Sequence, residues 1–420
     1  MRQFCNQHNI KILKRKIVLH YVMISLLFTA LVYGQGRTVR HTILTRNLIK
    51  EGYENVTART SPRATLVQYE DSRNRYPTDG IQDVVGRTSL LLPPTSDKVV
   101  IVLLKYGVPL VVFENRNFAQ YYNPRRRINM LIPRLSTSRK ADLITSGMKS
   151  YPAFNRSGFK TDLIFHPDLR MALGNYNHPV ESQFNIITEF RTLIYDGFLL
   201  SASAIVPVHN DFAEWENYIR LGPSSLNYIT RLRRDYFIFV TAGYFRGNRY
   251  GVQAGLKKHL FDGGLVFDGR FGYSGYSIMD KGVIKYDYLK DVTWSLSALY
   301  FFKRRRLFTS IGFHRFLYKD HGLRFDAFRF FNEFQFGLWG VYADDSFNGG
   351  FQFSIPLPPR IYKPRRHFRP RIANYFDLAY QGKYNTTIGT TLKANDIFDD
   401  MFLRYNPQYL KSNLGRAQAQ

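Results

Sequence analysis

Cysteine is nearly missing from this chain. Its single copy, Cys5, lies ahead of the apolar run Ile17–Leu31. If that run is a removed leader, the remainder holds no cysteine at all. Disulfides, cysteine-based metal sites, thiol nucleophiles and a lipid-acceptor cysteine at the new N-terminus are then excluded. Long apolar runs are missing too: no stretch after residue 34 approaches the roughly 20 apolar residues of a spanning helix. A membrane-embedded remainder would have to cross with strands. Catalytic signatures are equally scarce. No Gly-x-Ser-x-Gly occurs, and Gly272-Tyr-Ser-Gly-Tyr276 does not make a nucleophile elbow. The ten histidines are scattered; His166, His178, His209 and His259 have no close histidine partner, which argues against a metal site. Gly243-Tyr-Phe-Arg-Gly247 lacks the spacing of a phosphate loop. The adjacent carboxylates Asp344/Asp345 and Asp399/Asp400 read as turn residues or caps, because neighbours on a strand point to opposite faces. No cofactor is expected.

What is present points to export. Lys11, Lys14, Arg15 and Lys16 precede the apolar run, and Val32-Tyr33-Gly34 follows it, the pattern of a signal peptide cut after Gly34. Acids are few, with 32 Asp and Glu against 59 Lys and Arg. Removing five basic residues and no acid with the leader leaves a net charge of +22. Such an excess favours polyanions, and an exported chain meets lipopolysaccharide phosphates or acidic polysaccharide rather than nucleic acid. The basic clusters are Arg125–Arg127, Arg231 with Arg233 and Arg234, Lys303–Arg306, and Lys363–Arg371. Most fall between expected strands, as solvated turns or a girdle beneath anionic headgroups.

Aromatic residues are abundant: 35 Phe and 29 Tyr help to make 16% of the chain. They alternate with polar residues. Over Gly264–Ser274, Leu265, Phe267, Phe271 and Tyr273 share one face while Asp268, Arg270 and Ser274 share the other. Over Thr293–Lys303, Trp294, Leu296, Tyr300 and Phe302 oppose Thr293, Ser295, Ser297 and Lys303. Period-two alternation over about ten residues is the mark of a membrane strand. The fold class predicted is therefore mostly β: a transmembrane antiparallel β-barrel of about 12 strands with a small N-terminal α/β periplasmic module. The expected boundaries are a signal at 1–34, the module and a connector at 35–180, the barrel at 181–385, and a polar C-terminal tail at 386–420. Within the module, Leu66–Glu70, a helix over Gly80–Leu92, Val99–Leu104 and Leu110–Glu114 read as a β-α-β-β unit.

The alternation turns twelve polar residues inward: Glu189, Arg191, Arg231, Arg233, Asp268, Arg270, Arg324, Asp326, Gln335, Gln352, Asp377 and Lys383. They are candidate contacts for a polysaccharide through hydrogen bonds and Arg–carboxylate pairs. Opposed charges in a narrow lumen also form plugging salt-bridge networks, and both readings stand at this point.

Several segments carry a family likeness: Tyr69-Glu-Asp71, Gly107-Val-Pro109, Phe113-Glu-Asn-Arg116, Ala204-Ile-Val-Pro-Val208, Arg249-Tyr-Gly251, Lys319-Asp-His-Gly322, Asn348-Gly-Gly-Phe-Gln-Phe-Ser-Ile-Pro-Leu-Pro358 and Asn406-Pro407. On these, residues 64 to 410 resemble the YjbH/GfcD family of outer-membrane proteins linked to exopolysaccharide and capsule export. The chain departs in lacking a lipidation cysteine and in being shorter than the two-barrel forms. The resemblance implies a non-enzymatic barrel in the cell outer membrane that assists polysaccharide export or surface assembly. Its implied partners are outer-membrane lipid and lipopolysaccharide, the exopolysaccharide, and periplasmic export components docking on residues 35–180. The alternatives are an outer-membrane enzyme acting on lipid or polysaccharide, and a structural or adhesive surface barrel.

Overall fold

Residues 98–105 read Lys-Val-Val-Ile-Val-Leu-Leu-Lys, apolar at every interior position, so the segment has no face to offer water. It becomes the central strand of a five-stranded sheet, with Val99, Ile101 and Leu103 in one apolar cluster and Val100, Val102 and Leu104 in another. The computed structural model describes residues 43–60, 64–91, 98–116, 136–137, 153, 155–173, 180–364, 367–382, 387–394 and 396–414. The expected signal segment, the cluster Arg125–Arg127 and Lys383 lie outside the described residues.

The small sheet runs β1 (Glu54–Thr60), β2 (Ala64–Glu70), β3 (Lys98–Lys105), β4 (Val108–Arg116) and β5 (Ser136–Thr137), in that order. Helix α1 (Ile43–Glu51) precedes it, and α2 (Pro77–Leu91) joins β2 to its parallel neighbour β3, as a parallel pair requires. The other pairs are antiparallel. The expected β-α-β-β unit matches β2, α2, β3 and β4; α1, β1 and β5 had no clear pattern in the sequence. Glu70 ends β2 in a buried position. It accepts from the backbone N–H of Tyr106 (2.6 Å) and Gly107 (3.0 Å) and from Asn55 Nδ2 (2.6 Å), and Ser157 Oγ lies 3.1 Å away. Burial nonetheless pushes its carboxyl above the usual range.

All the remaining strands form one sixteen-stranded sheet. They are β6 (Thr161–Leu173), β7 (Val180–Tyr195), β8 (Phe198–Asn210), β9 (Arg220–Leu221), β10 (Ser224–Arg231), β11 (Tyr236–Phe245), β12 (Arg249–Leu260) and β13 (Leu265–Asp280). Next come β14 (Val283–Tyr286), β15 (Asp291–Phe302), β16 (Leu307–Arg315), β17 (His321–Phe331), β18 (Phe334–Ala343), β19 (Ser346–Pro356), β20 (Phe368–Ile372) and β21 (Tyr375–Gln381). Neighbours pair antiparallel along a meander, except that β20 lies parallel to β6. The path begins at β20 and ends at β21, and these two are consecutive in the chain, separated by Ala373 and Asn374. One stretch of chain thus pairs with β6 through its first half and with β19 through its second.

Two boundaries differ from those expected. The sheet begins at Thr161, not near 181, because Pro167 interrupts the strand pattern of β6 in the sequence. The pairing of β6 with β20 ends at Phe165, so the proline falls where β6 keeps one partner strand. The C-terminal region is not a polar tail. Helices α3 (Asp396–Arg404) and α4 (Pro407–Leu414) bury Phe398, Met401, Tyr409, Leu410 and Leu414.

The two faces of the large sheet have opposite chemistry. On the convex side apolar residues stand exposed strand after strand, including Phe271 (54%), Leu296 (66%), Ile311 (56%) and Leu338 (55%). On the concave side Asn185, Asn227, Thr241, Gln253, Ser274, Thr293 and Asn348 are buried. A soluble sheet places these classes the other way round. The adjacent pair Asp344/Asp345 forms the two-residue turn between β18 and β19, both residues at positive φ, as a tight hairpin demands.

Candidate functional site

Cross-strand neighbours share a face, so register decides which polar residues meet. Along β6 and β7 the pairs are Asp162 with Arg191, Ile164 with Glu189, Asp168 with Asn185, and Arg170 with Gln183. They build a charged stripe along the concave face. Glu189 accepts from Arg191 Nε (2.8 Å) and Ser201 Oγ (2.7 Å), and a ring nitrogen of His166 lies 2.8 Å from it. Arg191 also donates to the Tyr106 hydroxyl (3.3 Å), tying the stripe to the small sheet. Further along, Asp168 accepts from Asn185 (3.1 Å) and Arg246 (3.3 Å). At the far end Glu216 accepts from Gln183 (2.7 Å) and Arg170 (2.9 Å), while Arg220 donates to its carbonyl (2.7 Å).

Across the concave space, the C-terminal segment lies against β11 to β13. Its path can be followed by contacts. The Gly389 N–H donates to Asp320 (2.6 Å) and the Leu317 N–H to Thr390 O (2.9 Å), both in the loop between β16 and β17. Leu392 then passes Gly272, where a Cβ would sit 2.7 Å from the leucine, so glycine permits the approach. In α3, Phe398 and Phe402 pack on Phe237 and Phe239, with Phe237 and Phe402 edge-to-face at 5.3 Å. Asp399 takes a bidentate pair from Arg270 (2.6 and 2.8 Å). Arg270 also donates to Asp268, which pairs with Lys257 on the adjoining strand. On the opposite side of the same helix, Arg404 donates to Ser354 (3.1 Å) and stacks on Tyr375. A nine-residue helix that touches β11, β13, β19 and β21 has the sheet wrapped around it. Helix α4 closes the end nearest the small sheet: Tyr409 enters a cluster of Phe301, Phe308, Phe328 and Phe330, and Asn406 donates to Gly263 O (2.7 Å).

The small sheet docks at this same end. Arg75 makes a bidentate pair with Glu333, in the turn between β17 and β18 (2.7 and 3.0 Å), with both side chains about nine-tenths buried. The Gly197 N–H donates to Tyr106 O (2.7 Å), and Arg231 donates to Pro109 O (3.3 Å).

The residues expected to face inward separate into groups. Glu189 and Arg191 form the stripe; Asp268 and Arg270 anchor α3. Arg324 and Asp326 pair with each other at 2.7 Å beside Ser310 and Trp339. Gln335 and Asp377 both lie opposite Ser354, and Asp377 is open to solvent. Gln352 lies opposite Gly337 and Ala379 on the same face as Phe328. Arg231 lies on the concave face over its register partner Phe237, and from there reaches Pro109 O of the small sheet. Arg233 does not face inward: it sits exposed in the short turn after β10, where period two no longer applies. Sequence reasoning missed His166, Tyr106 and Asp399. Only Asp399 had a signal, the apolar spacing of Ile397, Phe398, Met401, Phe402 and Tyr405 around it. Among the described residues no group of three or more His, Cys, Asp or Glu is arranged to hold a metal.

No protein-family model matches the chain, and no curated protein matches it. Among solved structures it is similar to a loop-deletion mutant of OmpT, an outer membrane protein of Vibrio cholerae, over 46% of this chain and 85% of that one, at 7% identity and a TM-score of 0.23, a likeness too weak to carry an argument.

Proposed function

We propose that this protein crosses an outer membrane as a β-barrel, sealed where the 368–381 stretch pairs with both β6 and β19, and that it assists exopolysaccharide or capsule export or surface assembly without itself being an enzyme. The observation that carries the membrane reading is the convex face, whose exposed aromatic and aliphatic residues would be costly in water and are at home in lipid. The concave face then lines a lumen. Its C-terminal helices fill one wall and the end beside the small sheet, so the lumen is plugged rather than freely open, while the charged stripe on β6 and β7 runs along the other wall. In this reading the small sheet lies in the periplasm, where export components would dock on it. The polymer reading rests on the YjbH/GfcD resemblance, and the stripe suits it: alternating guanidinium, carboxylate and amide groups bind hydroxylated and acidic sugars alike.

Envelope fractionation with a gel before and after boiling tests the barrel. The expected result is recovery with the outer membrane and a heat-dependent change in mobility. Recovery as a soluble protein with no mobility change would overturn the proposal. A deletion strain should then lose surface polysaccharide, and a strain with unchanged polysaccharide would remove the export role.

A further inference from the structure

Beside the junction of the small sheet with β20 lies a cleft of about 510 Å³, within the size range of small-molecule sites. Six cations line it: Lys50, Arg73, Lys160, Lys363, Arg369 and Arg371. The acids in contact with them are too few. Glu54 is shared between Lys160 and Arg369, at 2.8 Å from each. Asp162 is shared between Arg369 (2.6 Å) and Arg371 (3.2 Å). Arg73 takes Glu51 at 3.2 Å and lies 3.9 Å from Asp83, so four acids face the six cations. Lys50 and Lys363 are exposed and make no hydrogen bond or ion pair among the described residues, and the buried Nε of Arg371 has no partner.

The cleft is also shaped by the chain. Gly52 holds φ +98°, and a Cβ there would fall 2.7 Å from the ring of Pro364, so glycine lets the 363–364 segment close over α1. Lys160, Arg369 and Arg371 are only 12–17% exposed. Partly desolvated cations attract an anion more strongly than the same groups in bulk water. Finally, the cleft is linked to the stripe through one residue: Asp162, which holds the lining Arg369, is the register partner of Arg191, where the charged stripe begins.

We infer that this cleft binds the carboxylate or phosphate groups of an acidic sugar chain, and that it is where such a chain meets the stripe. This rests on the export reading above and gives its substrate a charge. Neutral sugars would gain nothing from two unpaired lysines.

The test is binding by the full chain in detergent, with three probes: an oligogalacturonate, maltohexaose and inorganic pyrophosphate. The acidic oligomer should bind, and raising sodium chloride from roughly 0.05 to 0.5 M should weaken it about tenfold. Maltohexaose should not bind, and pyrophosphate should compete only weakly, because a chain spans more of the cleft. The double variant Lys50→Gln/Lys363→Gln changes only exposed side chains and should lower oligogalacturonate affinity by about tenfold. Absent binding, equal binding of the neutral oligomer, or binding undiminished in the double variant each overturns the inference. If pyrophosphate binds as tightly as the oligomer, the site takes free phosphate and the sugar-chain assignment is lost. These results are separable from the membrane reading: a protein that fractionates with the outer membrane yet ignores the acidic oligomer refutes the cleft alone.

Discussion

In the proposed barrel the C-terminal plug has two kinds of anchor, and their strengths differ enough to test. Asp399 is held by Arg270, but its side chain is 38% exposed, and Arg270 keeps Asp268 when Asp399 is gone. Asp399→Asn should therefore cost only about 1 kcal/mol, after allowing for solvent screening. Phe398 and Phe402 are buried against Phe237 and Phe239, at 0% and 7% exposure. Truncating each to Ala costs roughly 3–5 kcal/mol, and the double variant removes most of what holds α3 to the wall. The ordering is clear: aromatic packing holds the plug and the ion pair orients it. The assay is conductance in planar bilayers. Wild-type protein and Asp399→Asn should be nearly closed, whereas Phe398→Ala/Phe402→Ala should conduct, as should a chain lacking residues 387–414. Each variant is first shown to keep its heat-dependent mobility, so that loss of the barrel is not mistaken for opening. A wild-type protein that conducts freely, or a plug deletion that stays closed, would refute the reasoning.

Placing a charge in the apolar band, as in Leu296→Arg, should destabilise the barrel by about 2–4 kcal/mol if that residue faces the bilayer centre. Denaturant unfolding in lipid bilayers measures it, and an unchanged midpoint would deny the convex face its lipid contact. Glu333→Ala leaves the buried Arg75 charge with only the Leu357 carbonyl and should loosen the small sheet by about 3 kcal/mol, seen as faster trypsin release of residues 43–116. Adding Arg75→Ala should restore part of that protection, and two losses that simply add would show the pair to be uncoupled. The raised carboxyl of Glu70 sets a pH dependence. Its protonated form is favoured in the folded state, so its contribution is fully present below its ordinary value of 4.5 and is lost as pH rises through the raised one. The small sheet should resist proteolysis less as pH climbs through that window, and Glu70→Gln should lack the trend; parallel slopes would sink the assignment.

Much of this architecture can be read in the residues. Strands β13, β15, β18 and β19 follow from alternation alone, since Phe267 and Phe271 cannot share a face with Asp268 and Arg270. The unit β2-α2-β3-β4 follows from turn residues and the apolar run at 98–105. Other parts are hidden for physical reasons. Pro167 obscures β6, and the apolar residues of α3 are diluted by Asp396, Asp399 and Asp400, so the helix reads as polar. Partners within the interior depend on register: nothing in the sequence places Lys257 beside Asp268, or His166 beside Glu189. Arg233 shows the converse failure, where alternation was carried past the end of its strand.

The parallel seam between β20 and β6 decides where the chain finishes. A simple up-and-down meander with all neighbours antiparallel brings its last strand back towards the end where it started. Here the last strand runs the same way as the first, so the chain leaves β21 at the end remote from the small sheet. The helices α3 and α4, which touch that sheet, can be reached only by doubling back through the middle. In the barrel proposed above, assembly is therefore a matter of timing as well as affinity: the wall would have to shut around the helices Asp396–Arg404 and Pro407–Leu414, and a chain that zips its seam too early would leave its stopper outside.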